Sequence, residues 1–337
     1  MSKILVTGGT GFLGSWILRA LDTPPYCDDS EYDTIRLLVR NPDKAKDLKS
    51  DHFIYEIVRG DLTDHASLKR AATGVDAVIH VASLLDNKSP WSEFQKVNLD
   101  STEALIQSLE ADTKFILTAS TAVYGFPNIK KKIHEDYEPR NLFGFYQKAK
   151  KLQEDQARQL CQEKNLPFIS IRPPTILGSR DHSTFPKLIK TILRRKFIFI
   201  RGGKIIIPIA HAWDVAIAHL QGLKYIDQYN GEAFHIASFH ATIKECIDIL
   251  CQELGVKPIK WNVPYPLAYS IGLLADLLPV KMDYSRYAVK FFASNMMLDL
   301  TNITTKLKFQ ANYDLNLTIK EIMSEYNLKK RTMMGSK

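Results

Sequence analysis

The chain opens on an apolar run, Ile4 to Thr7, that passes directly into glycines at 8, 11 and 14 and then into helical spacing: KILVTGGTGFLGSWIL. Strand, tight turn and helix in that order make the phosphate-gripping unit of a dinucleotide site. Gly8 allows the turn, Gly11 lets backbone approach a pyrophosphate, and Gly14 permits close packing of helix on strand. The helix N-terminus adds free N–H groups and the positive end of a dipole. Thr10, Phe12 and Leu13 complete the turn and are assigned to the cofactor with the three glycines.

Through the first half of the chain, short β-rich runs alternate with helical patterns. They are Ile4 to Thr7, Ile35 to Val39, Phe53 to Val58, Ala77 to Val81, Phe115 to Thr118 and Phe168 to Ile171, with a seventh at Ala233 to Ile236. Such alternation predicts an α/β fold, a doubly wound parallel Rossmann sheet of about seven strands with helices on both faces. After Arg172 the rhythm breaks at RPPTILG. The chain therefore divides into a dinucleotide-binding part, 1–172 with about 210–240, and a smaller α+β substrate-binding lobe, about 173–209 with 241–330. Residues 331–337 read as a frayed tail.

Composition narrows the class. With 337 residues, 45% hydrophobic and 24% charged, the chain is globular and long enough for more than one core. Its net charge of +8 is scattered and carries no nucleic-acid reading motif; the densest group, Lys187, Lys190, Arg194, Arg195 and Lys196, reads as a solvated helix face, with an anionic substrate or lipid headgroup as the alternative. Cys27, Cys161, Cys246 and Cys251 form no Cys-x-x-Cys pair and no Cys/His cluster, so no disulfide framework and no metal site is expected, and a cytoplasmic location fits. The N-terminus lacks the basic flank and cleavage site of a signal peptide. No segment reaches the roughly 18 apolar residues of a membrane span. The nearest, Pro266 to Val280, is interrupted by Asp276 and reads as a helix packed on its own domain, which leaves only peripheral membrane contact open.

The chemistry centres on Tyr146 and Lys150 in FGFYQKAKKLQ. Four residues apart on a helix, they share a face. An ammonium beside a phenol favours phenolate and predicts a Tyr146 pKa lowered from near 10, a usable acid/base. A second Tyr-x-x-x-Lys, Tyr326 with Lys330, lies beyond the last strand and reads as coincidence. Ser120 and Thr121 end the fifth strand at the carboxyl edge of the sheet, where open α/β proteins bind ligands, so the Ser120 hydroxyl is placed to hold a carbonyl beside the tyrosine.

On these residues, with GDL (60–62), VIHVAS (78–83), VNLDST (97–102), RPPTILG and HAWDVAIAH (211–219), the chain resembles the extended short-chain dehydrogenase/reductases of the epimerase/dehydratase class over nearly its whole length. The resemblance implies an NAD(P)-dependent enzyme. Ser120, Tyr146 and Lys150 would be catalytic, with Tyr146 and Lys150 also touching the cofactor. Asp61 and Leu62 would meet adenine, Val81, Ala82 and Pro173 would flank the cofactor, and Asn98 would order the site. By analogy a homodimer would form through the helices after the fourth and fifth strands. His80 reads as a core histidine and Asp214 as a helix-start residue.

The second strand ends in Arg40, where an acidic residue would grip a ribose 2′-hydroxyl. Arginine suits a 2′-phosphate, so NADP is expected, with NAD the alternative; Lys44 and Lys46 could assist. Ile207 and Thr175 stand where nucleotide-sugar epimerases of this class place an arginine and an asparagine. The stretch KFIFIRGGKIIIPIAH (196–211) presents apolar side chains instead, and VPYPLAYSIGLLADLLP (263–279) is similar to segments of dihydroflavonol reductases and 3β-hydroxysteroid dehydrogenases. The expectation is thus an alcohol/carbonyl oxidoreductase for a mainly apolar small molecule such as a sterol, a flavonoid-like ring or an aldehyde. A nucleotide-sugar epimerase or dehydratase retaining its NAD is the second reading. A sensor that merely binds the dinucleotide would not need both Tyr146 and Lys150.

Overall fold

A computed structural model describes residues 2–85, 89–181, 184–277 and 285–335, with side chains to 328. In chain order the strands are Lys3–Thr7 (β1), Thr34–Val39 (β2), Ile54–Arg59 (β3), Ala77–His80 (β4), Lys114–Thr118 (β5), Lys132–Ile133 (β6), Phe168–Arg172 (β7), Thr175–Leu177 (β8), Phe199–Ile200 (β9), Ile206–His211 (β10), Ala233–His235 (β11), Phe239–Thr242 (β12), Asn262–Val263 (β13) and Met297–Leu298 (β14). The helices are Phe12–Leu21 (α1), His65–Ala72 (α2), Trp91–Phe94 (α3), Ser101–Gln107 (α4), Phe145–Glu163 (α5), Thr184–Leu193 (α6), Ala212–Lys224 (α7), Ile243–Glu253 (α8), Tyr265–Leu277 (α9), Arg286–Phe291 (α10), Thr301–Lys306 (α11) and Leu315–Gly335 (α12).

All seven strands expected from the sequence join one parallel sheet in the order β11-β7-β5-β4-β1-β2-β3. Ile4, Leu5, Val6, Ala77, Val78 and Ile79 are fully buried, as strands covered on both faces require. Side chains of α1 and α7 form a core with one face, and those of α2, α4 and α5 with the other. Strand order reverses between β1 and β4. Their carboxyl ends, Thr7 and His80, lie in register there, and a crevice for ligand opens beyond them.

Beyond β7 the chain builds small sheets. β10 pairs antiparallel with β12 and parallel with β8; β9 pairs with β13, and β14 with β6. A third apolar core, including Phe185, Ile207 and Ile247, fills this region. Asp214 is the third residue of α7, not its cap: buried, it accepts hydrogen bonds from Ser238 Oγ (2.6 Å) and the Asn312 backbone (2.9 Å), tying the C-terminal region to the helix. His211 caps α7 by accepting from the Trp213 N–H at 3.1 Å.

One expectation needs correction. α12 runs to Gly335, so helix continues into the segment read as a frayed tail; NLKKRTMM holds good helix formers and no proline or glycine before 335. Residues 336–337 lie outside the described residues, as does the side chain of Lys330. The helix within the 266–280 stretch packs on its own domain, as expected, burying its small residues and leaving its leucines exposed; 278–280 are again outside the described residues.

Candidate active site

The glycine turn fits a dinucleotide by its own geometry. Gly8 adopts φ +72°, and a Cβ on Gly14 would stand 2.0 Å from the Gly8 carbonyl oxygen, a collision no side chain survives. The Gly11 N–H closes the turn onto Gly8 O at 2.9 Å. Helix α1 then begins with no side-chain cap and no acidic residue in its first turn, which leaves its first N–H groups available for anionic oxygens. Thr10 is exposed at the lip, Phe12 half-buried and Leu13 buried beneath it.

Along the edge of the sheet, Arg40 follows β2 and is exposed. Its charge reaches Asp61, whose carboxyl is held below its usual pKa chiefly by the Thr63 N–H (2.9 Å) and also by Arg40. Leu62, Val81 and Ala82 are half-buried. The Val81 and Ala82 N–H groups both donate to Thr7 Oγ1, at 3.1 and 3.2 Å. Ser83 carries a buried hydroxyl without a hydrogen-bond partner among the described residues. Pro173, buried after β7, accepts from the Thr121 N–H at 3.0 Å. Asn98 sits in a widened π turn between α3 and α4 and clasps the Leu84 backbone, accepting from its N–H at 2.7 Å.

Ser120 and Tyr146 line one cavity of about 370 Å³. Ser120 caps a short turn, accepting from the Ala122 N–H at 3.1 Å. Burial raises the pKa of Tyr146, and a hydrogen bond with Ser120 only partly offsets this. The expected lowering by Lys150 does not occur, because the ammonium is committed elsewhere. Lys150 Nζ donates to Thr118 O (2.9 Å) and Gln153 Oε1 (3.0 Å), and its burial pushes its own pKa down to about 7.

Behind Lys150 runs a buried polar chain that the sequence reading missed. Gln153 Nε2 donates to Thr102 Oγ1 (2.9 Å), Thr102 meets His80 Nε2 (3.1 Å), and His80 Nδ1 meets Thr7 Oγ1 (2.8 Å). Because Thr102 Oγ1 already spends its proton on Asn98 O (2.6 Å), a neutral His80 donates from Nε2 and accepts from Thr7 at Nδ1. Burial keeps it neutral by pushing its pKa to about 3. His80 is thus a satisfied core histidine, as read, and also a link from the glycine strand to the lysine. Burial works against the Glu154 carboxylate too. Arg172 outweighs it, donating from Nε to both oxygens at 3.0 and 2.9 Å, and fixes α5 on β7. The signal for both was periodic: polar residues 150, 153 and 154 lie on the buried stripe of α5.

Away from Ser120 and Tyr146 the lining of the cavity is mainly apolar, with Ile176, Ile207, Phe291 and Met296 beside Thr175, Thr184 and Ser294, while Tyr287 reaches back to α5 in a hydrogen bond with Gln147. No sequence signal pointed to α10, whose Tyr287 and Phe291 help close the cavity. Among the described residues, one group of possible metal ligands comes together, Cys27, Asp28 and His52, with ligand atoms within 4.8 Å of one another; residues so far apart in sequence formed no ligand motif. Among the described residues no helix is long and apolar enough to cross a membrane.

Over residues 4–237 the chain matches the NAD dependent epimerase/dehydratase family. It belongs to that family, and is an NAD(P)-dependent oxidoreductase of the extended short-chain dehydrogenase/reductase class. It is 28% identical over 212 residues to a dihydroflavonol 4-reductase of Callistephus chinensis, spanning 56% of each chain and so little more than half that relative's length. It is 28% identical over 295 residues to a decarboxylating sterol-4-alpha-carboxylate 3-dehydrogenase of Dictyostelium discoideum, 82% of this chain and 85% of that one. Among solved structures, UDP-glucuronic acid 4-epimerase from Bacillus cereus in complex with NAD shares the fold, with a TM-score of 0.74 over 97% of this chain and 99% of that one at 19% identity.

Proposed function

We propose that the protein interconverts an alcohol and a carbonyl on a mainly apolar small molecule, using NADP. The observation that carries this reading is Ile207: it is 93% buried and lines the same cavity as Ser120 and Tyr146. A sugar diphosphate there would bury charge without a partner, whereas an apolar ring gains about 25 cal/mol per Å² of apolar surface removed from water. The relatives named for reductase and dehydrogenase activity on flavonol and sterol substrates support the same class.

The bound nicotinamide would supply the hydride. Ser120 would hold the substrate oxygen, and Tyr146, whose phenol form burial favours further, would hand that oxygen a proton in the direction of reduction. Lys150 would bind the nicotinamide ribose, steadied by Gln153 and the Thr118 carbonyl. Gly8, Thr10, Gly11, Phe12, Leu13 and Gly14 would hold the pyrophosphate, Asp61, Leu62, Val81, Ala82 and Pro173 would frame the dinucleotide, and Arg40 would read the 2′-phosphate.

The test is a panel of hydrophobic ketones and aldehydes, with UDP-sugars alongside, assayed with both cofactors. Net oxidation of NADPH by a hydrophobic carbonyl is the expected result. Conversion of a UDP-sugar with no net cofactor turnover would replace this reading with the epimerase one.

A further inference from the structure

Helix α9 is amphipathic in reverse. Its buried residues are the small ones, Ala268, Gly272 and Ala275, at i, i+4 and i+7. A Cβ on Gly272 would lie 3.0 Å from the Arg286 nitrogen, so α9 rests on α10 almost backbone to backbone. The stripe one residue back with the same spacing, Leu267, Ile271 and Leu274, is 55%, 42% and 61% exposed, and Leu277 is 73% exposed. A helix ordinarily turns its large apolar stripe toward its own core. Here that stripe faces out.

The segment that leads into α9 carries Trp261, 68% exposed. That segment is laced to the end of α6: the Phe199 N–H donates to Trp261 O at 2.9 Å, β9 pairs with β13, and the Arg195 guanidinium donates to Lys257 O. Arg194, Arg195, Lys257 and Lys260 are all exposed on these joined segments, a basic rim at the entry to α9. Exposed aliphatic stripe, interfacial tryptophan and basic rim are the parts of a helix that lies in a lipid interface and meets anionic headgroups. A second copy of the chain would carry the same positive rim into the contact, whereas anionic lipid neutralises it.

We propose that α9 and this basic rim dock the protein on an anionic lipid surface. On its other side α9 packs on α10, which supplies Tyr287 and Phe291 to the substrate cavity, so one helix separates the docked face from the site. Resting on the function proposed above, this lets an apolar carbonyl pass from the bilayer to the cavity. Docking itself is measured without substrate, so it stands or falls apart from the reductase reading.

The experiment is co-sedimentation of the full chain with vesicles of phosphatidylcholine alone and of phosphatidylcholine with phosphatidylserine. Binding to the anionic vesicles, weakened at high salt, is expected. Leu267→Glu with Leu274→Glu should reduce it at least tenfold while circular dichroism and NADP binding stay unchanged. Arg194→Glu with Lys260→Glu, which leaves the apolar stripe intact, should weaken it mainly at low salt. Absence of binding to anionic vesicles, binding equal for both compositions, or binding indifferent to the two leucine substitutions would overturn the proposal. So would a dimer in sedimentation velocity that the leucine substitutions dissociate and that excludes vesicle binding.

Discussion

On the side of the cleft built by β1, β4 and α5, polar groups are buried and paired end to end, from Thr7 through His80, Thr102 and Gln153 to Lys150. On the side built by β8, β10 and α10, the cavity meets Ile176, Ile207, Tyr287 and Phe291. A buried polar chain is costly unless every member is satisfied, and satisfied it holds one geometry. An apolar wall is cheap to build and tolerant of shape. On the function proposed above, the first wall would hold fixed chemistry and the second would choose the substrate.

The largest expected effect comes from breaking the chemistry of the first wall. Tyr146→Phe should lower turnover by about a hundredfold to ten-thousandfold, the usual range for losing a general acid/base, with NADP affinity nearly unchanged. Steady-state kinetics with a cofactor titration read both, and retained turnover removes Tyr146 from the mechanism. Arg40→Ser tests the cofactor edge of the same wall. It should weaken NADP by about 10- to 150-fold, a charge-assisted contact of roughly 1.5 to 3 kcal/mol, and leave NAD almost untouched. Equal loss for both cofactors would mean that Arg40 does not meet the 2′-phosphate.

Gln153→Leu sharpens the comparison from within the polar chain. It removes an acceptor of the Lys150 ammonium and leaves the Thr102 hydroxyl oxygen short of a donor, so turnover should fall by about tenfold, in line with roughly 1 to 2 kcal/mol for an unmade buried bond. Without Gln153 the charged form loses support, and the Lys150 pKa falls further below about 7. The alkaline limb of the pH profile of kcat/KM should therefore move to lower pH. A limb that stays in place while turnover drops would make Gln153 a packing residue only.

Acid stability gives the smallest effect. His80 and His219 are buried, with pKa values pushed by burial to about 3 and about 4 from an unfolded value near 6.5. The unfolded chain binds their protons first, so stability present above pH 6.5 drains away as pH falls toward those values. His219→Asn should flatten the fall in unfolding free energy between those limits by about 1.4 kcal/mol per pH unit. Denaturant melts across that range measure the slope, and an unchanged slope means His219 does not titrate on unfolding.

What could be read from the sequence follows the same divide. The seven strands, the glycine turn and the Ser120, Tyr146 and Lys150 set are written in local signals: continuous apolar runs, glycine spacing, and a four-residue helical step. The Gln153–Thr102–His80 chain joins α5, α4 and β4, three elements far apart in sequence, and no local pattern announces such contacts. The pKa of Tyr146 was read in the wrong direction for the same reason: spacing put an ammonium on its face, but only the fold shows that Thr118 and Gln153 hold that ammonium while burial governs the phenol. The apolar wall was legible only as departures, Ile207 and Thr175, while Tyr287 and Phe291 reach the cavity from more than 100 residues beyond the catalytic helix.

The central claim is that the apolar wall selects the substrate. Calorimetric titration of the NADP-loaded protein with a hydrophobic ring ketone and, separately, with UDP-glucose tests it most directly. The account predicts that the ketone binds with a negative heat-capacity change, the mark of apolar burial, and that UDP-glucose gives no measurable heat of binding. Micromolar binding of UDP-glucose would contradict it, because a charged diphosphate would then have found partners in a wall where Ile207 offers none.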